Sequence, residues 1–82
     1  MFVRLEKINP AEHQKRFYAM NVTQTLFGEW CLIREWGRIG SAGGQGLVDY
    51  METKEEAEDT LNKLSAQKCG RGYIEREICF AT

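Results

Sequence analysis

At 82 residues the chain holds one domain, because a chain of this size buries only about 60% of its unfolded surface and has no material for a second core. Hydrophobic residues at 43% and charged residues at 28% exclude the disordered, collagen-like and membrane classes. A net charge of −1 supplies no overall attraction to nucleic acid, yet residues 1–48 carry six basic against four acidic residues while residues 49–82 carry five against eight, so an anion-binding face is expected from the first half.

The first element expected is a strand over Phe2 to Ile8, where Val3, Leu5 and Lys7 alternate with Phe2, Arg4, Glu6 and Ile8, closed by the turn-favouring Asn9-Pro10. Charges interrupt this segment too often for a signal-peptide core or a membrane span, so a cytoplasmic protein is expected. A polar connection runs through Arg16. Phe17 to Thr23 is rich in β-formers and reads as a second strand, with Tyr18, Met20 and Val22 on one face. A turn at Phe27-Gly28-Glu29 leads to a third strand, Trp30 to Trp36, antiparallel to the second, with Trp30, Leu32, Arg34 and Trp36 on one side. Gly37 to Gly46 contains five glycines and reads as a loop able to approach another molecule closely, and Leu47 to Met51 as a fourth strand.

Thr53-Lys54-Glu55-Glu56 is a capping box that starts a helix, with Ala57, Leu61 and Leu64 as its apolar stripe and Lys68 and Gly70 at its end. Glu55, Glu56, Glu58 and Asp59 fall where the helix dipole favours them and read as a solvated face. Tyr73 to Phe80 alternates again as a last strand. Four or five strands and one helix make an α+β domain spanning 1–82, an antiparallel sheet with the helix laid on one face. Neither a repeat nor a low-complexity tract interrupts it.

Cys31, Cys69 and Cys79 are an odd count without a C-x-x-C pair, and His13 is the single imidazole. They read as reduced, mostly buried thiols, with no metal site. His13 sits in a polar connection and reads as solvent-exposed. The Gly40–Gly46 stretch lacks the Gly-Lys-Ser/Thr ending of a P-loop. With no nucleophile–base pair and no cofactor motif, neither an enzyme nor a bound cofactor is expected.

Arg34-Glu35-Trp36-Gly37-Arg38-Ile39-Gly40 carries the tripeptide that names the WGR domain. The order around it matches as well: Lys15-Arg16-Phe17-Tyr18 opening a strand, Trp30 six residues before Trp36, a glycine-rich turn, Leu47-Val48-Asp49-Tyr50, a helix, and Gly72-Tyr73. Over roughly residues 2 to 75 the chain resembles this family, which occurs in DNA-dependent poly(ADP-ribose) polymerases and as short bacterial proteins. The resemblance implies a module that packs against DNA near a strand break, its motif tryptophan on the terminal nucleotide and its motif arginine on DNA or an adjoining domain. Carried over, these are Trp36 and Arg38. These 82 residues hold no polymerase domain or zinc finger to receive a signal, so the signalling part of the inheritance is not expected.

The expected site is therefore Trp36, Gly37 and Arg38, extended by Arg34, Lys15 and Arg16 into a basic patch. Each has a structural alternative. Trp36 is a stacking surface or a core residue, and Trp30 is read as core. Arg38 grips a phosphate or pairs with Glu35 or Asp49. Arg34, Lys15 and Arg16 extend the patch or simply solvate a sheet edge. The expected partner is nucleic acid, in the first place DNA; the alternative is an adaptor that docks the same Trp/Arg surface on another protein.

Overall fold

β-Branched and aromatic residues at every second position give the chain its strands, and a single helix covers the face on which the apolar members fall. A computed structural model describes residues 1–41 and 44–79. β1 (Phe2–Asn9) leads through a 3-10 turn at Pro10–Glu12 into β2 (Gln14–Gln24), then β3 (Trp30–Arg38), β4 (Gln45–Met51), α1 (Lys54–Cys69) and β5 (Ile74–Cys79). The five strands form one sheet in the order β4-β3-β2-β1-β5, with antiparallel neighbours throughout. Four strands are a meander; α1 then carries the chain back across the sheet, so that β5 is laid beside β1. This is the α+β architecture expected, with five strands in the sheet.

Period two sorts the side chains. Val3 and Leu5 of β1, Tyr18, Met20 and Val22 of β2, and Leu32 of β3 face α1, where Ala57 and Leu61 complete the core. Leu5, Met20, Leu32 and Leu61 are the largest fully buried side chains; each contributes about 1.5–3 kcal/mol by leaving water. The helix starts as its sequence dictates, with the Thr53 hydroxyl accepting from the Glu56 amide at 3.1 Å, a cap that contributes about 1 kcal/mol. Its buried stripe is Ala57, Leu61 and Ser65, with Leu64 packed at the margin of the core. The Ser65 hydroxyl donates to Glu75 at 3.2 Å, fastening α1 to β5.

Three expectations need correction. Lys15 and Arg16 are not in a connection: β2 begins at Gln14, because the 3-10 turn and His13, in the left-handed region at φ 55, reverse the chain within a few residues. The third strand does not stop at Trp36 but continues through Gly37 and Arg38, and β4 begins at Gln45. The loop is correspondingly shorter, and part of it, like Phe80 at the end of the last strand, lies outside the described residues. All three cysteines are free, but only Cys31 is buried, since Cys69 ends the helix on its solvent side and Cys79 lies on an edge strand. Among the described residues no helix is long and apolar enough to cross a membrane.

Candidate nucleic-acid interface

Gly37 in β3 and Gly44 just before β4 allow two backbones to approach where the strands begin to pair. A Cβ on Gly44 would stand 2.7 Å from the Trp36 carbonyl oxygen, and one on Gly37 would stand 3.3 Å from the Gly44 Cα and 3.4 Å from the Phe17 ring. Close approach here brings Trp36 opposite Gln45, and the indole N–H donates to Gln45 Oε1 at 3.2 Å. One face of the indole lies on the Tyr18 ring, with centroids 5.6 Å apart and planes inclined by 11°. Trp36 is thus neither a free surface ring nor a core residue. It is half-buried and packed against the core, its orientation fixed on one side and at its nitrogen. Trp30, expected in the core, likewise is only partly buried and packs on its margin.

Because Arg16, Tyr18, Arg34, Trp36 and Arg38 alternate on the face that carries α1, they are gathered where β2 and β3 run out beyond the helix. Arg16 and Arg38 are cross-strand partners. The helix adds Lys68 from its last turn, and Tyr73 follows it. Together these residues line an open cleft of about 580 Å³. Lys68 Nζ sits 4.5 Å from the centroid of the Tyr18 ring and 5.7 Å from that of Tyr73, a cation lodged between two aromatic faces. Burial, and after it the charges of Arg71 and Arg34, push the Lys68 ammonium below its ordinary pKa.

Arg34 stands differently from the other three. It donates to the Tyr18 hydroxyl at 3.4 Å and pairs with Asp49 at 2.8 Å. Burial opposes its charge, but Tyr18 and Asp49 outweigh burial and its pKa rises. Asp49, one of two carboxylates open to Arg38 as an alternative to phosphate, is thus taken by Arg34, and among the described residues Arg16, Arg38 and Lys68 make no ion pair. Lys15 does not join them: it falls on the opposite face with Phe17, while its carbonyl accepts from Ile39 and anchors the strand ends. Gly37 lines the cleft, and the place of its missing side chain is taken up by Phe17 and Gly44. His13 is exposed, and among the described residues no group of three or more metal-ligating side chains comes together.

Lys68, Tyr73, Tyr18 and Gln45 were not among the site residues expected from sequence. In the sequence Lys68 is a cation at a helix C-terminus, and Tyr73 an alternating strand residue; only the return of the helix over the sheet turns them toward Trp36.

The fold is a small sheet-and-helix domain with an open, cation-rich aromatic cleft at one end of the β2–β3 ladder. The chain belongs to the WGR domain family, whose model matches residues 1–79, and whose domains are known in general for binding nucleic acid rather than for catalysis. It is similar to the protein called "Uncharacterized protein y4dW" of Sinorhizobium fredii (strain NBRC 101917 / NGR234), 40% identical over 72 residues. The match covers 88% of this chain and 35% of that relative, so the chain spans about a third of the relative's length.

Proposed function

We propose that this domain binds DNA, at strand ends in particular, through the cleft between the Trp-Gly-Arg strand and the end of α1. The observation that carries the reading is the juxtaposition of Arg16, Arg38 and Lys68, none ion-paired among the described residues, with an indole whose orientation is already set by Tyr18 and Gln45. Guanidinium and ammonium groups beside a presented aromatic are what a phosphate followed by a base requires: charge for the backbone and a π-face for the base. A terminal nucleotide suits Trp36 because its base has one face free of a stacking neighbour. Arg34 holds the Tyr18 hydroxyl and so positions the ring that backs Trp36. With so few cations the binding is of modest affinity and strongly salt-dependent.

The test is fluorescence anisotropy with a labelled duplex carrying a 5′-phosphorylated open end, set against end-capped duplex and single strand, across a salt series, for wild type and Trp36→Ala. Salt-sensitive binding that prefers the open end and weakens in a folded mutant supports the reading. No binding to any of the three forms at low salt overturns it.

A further inference from the structure

At the other end of the β2–β3 hairpin the turn carries Leu26 and Phe27, 102% and 91% exposed, where turns normally carry polar residues. The turn is well built. Thr25 Oγ1 accepts from the amides of Phe27 and Glu29 at 3.3 and 3.2 Å; the Thr25 amide donates to the Glu29 carbonyl at 2.8 Å; Gln24 Nε2 donates to the Gly28 carbonyl at 3.1 Å. Two apolar side chains that do nothing for the fold are therefore held out on an ordered platform, which lowers the cost of using them in an interface.

Beside Phe27 opens a concavity of about 770 Å³ formed with Tyr50, Glu29, Glu52 and Glu56. Among the described residues none of these carboxylates is ion-paired, and the nearby cation, Lys54, lies over the Trp30 ring at 5.8 Å. This pole offers an aromatic knob with carboxylates around it. The Trp36 cleft offers the converse, aromatic walls with cations around them. The poles sit at opposite ends of one ladder, Arg16↔Arg38 at one end and Gln24↔Trp30 at the other, on the order of 25 Å apart at about 3.4 Å per residue, so a single molecule cannot bring them together.

We propose that two copies of this chain associate head to tail, Phe27 and its carboxylates entering the Trp36 cleft of the next molecule. The contact joins two different surfaces, so it leaves one of each unused and continues into open chains rather than closing as a dimer. It is small, weak and screened by salt. It uses the cleft but does not depend on the nucleic-acid reading, and its test contains no nucleic acid, so either can fail alone.

Sedimentation equilibrium of the whole chain over a concentration series at low salt is expected to show the average mass rising from 9.5 kDa past two copies, and returning to one copy in high salt. Phe27→Asp, which leaves the cleft intact, and Arg38→Glu, which leaves the knob intact, are each expected to remain monomeric. Mixed in equal amounts they have one productive pairing between them, so association returns and stops at two copies. Circular dichroism checks that both are folded, and Arg16→Glu replaces Arg38→Glu if the latter is not. A wild type that remains monomeric to about 1 mM, the weakest dissociation constant such a contact would have, overturns the proposal. So does a Phe27→Asp variant that associates like wild type, which would place the contact elsewhere, such as on a sheet edge, or a mixture that stays monomeric.

Discussion

The two ends of the β2–β3 hairpin present aromatic rings in opposite ways. At the Trp36 end the ring is half-buried, stacked on Tyr18 and hydrogen-bonded to Gln45; at the turn Phe27 stands almost wholly in water, with only its backbone fixed. The first arrangement spends packing contacts to set the direction of a side chain, and removing that side chain must disturb both fold and binding. The second spends only backbone hydrogen bonds, and its side chain is expendable to the fold. Charge follows the same division, cations at the first end and carboxylates at the second, which is how a chain of net charge −1 offers a basic face at all.

The largest difference between the two ends is expected from paired substitutions. Trp36→Ala should weaken binding to open-ended duplex by about 1–3 kcal/mol, the value of one base–aromatic stack, and Phe27→Ala should leave that affinity unchanged; equal losses in the anisotropy titration would erase the distinction. Next comes Gly44→Ala. Its Cβ would meet the Trp36 carbonyl at 2.7 Å, so the strands must part, at roughly 1–3 kcal/mol; calorimetry should show Tm falling by about 4–8 °C for each kcal/mol lost, while Leu26→Ser at the turn leaves Tm unmoved. Smaller again is Arg38→Ala, expected to lower the slope of log affinity against log salt by about one, the signature of one phosphate contact. An unchanged slope would mean that Arg38 touches no phosphate.

The smallest effect concerns pH. The Lys68 pKa is lowered by burial and by Arg71 and Arg34, so its positive charge is fully present at lower pH and lost as pH rises through that depressed value, earlier than for an ordinary lysine. Affinity for DNA should accordingly decline on the alkaline side before free lysines titrate, and Lys68→Arg should abolish the decline because a guanidinium does not titrate there. The same decline persisting in Lys68→Arg would assign it to another group.

The alternation of Val3 and Leu5, of Tyr18, Met20 and Val22, and the Thr53 cap made the strands and the helix readable in the sequence, because period and capping are local properties. The family motif pointed to Trp36 and Arg38, which the fold places in one cleft. What escaped were consequences of register. Gly37 and Gly46 suggest a loop by propensity, yet opposite Phe17 and Glu35 both pair within strands, and it is at Gly37 and Gly44 that a Cβ would crowd its neighbours. Asp49 is directly across from Leu32, which places it diagonally from Arg34, within reach of a long side chain, and no local signal distinguishes this from a pair with Arg38. Lys68 lies 32 positions from Trp36 in the sequence, and only tertiary packing joins them.

Phe2 and Cys79 face each other across β1 and β5, one strand spacing or about 5 Å apart, at the end of the sheet remote from Arg16 and Arg38. These two residues lie away from the cleft around Trp36. That spacing makes the fold a cassette by geometry: a short linker bridging positions 2 and 79, with a new opening at the exposed Leu26-Phe27, is expected to give a permuted domain that leaves the residues around Trp36 untouched.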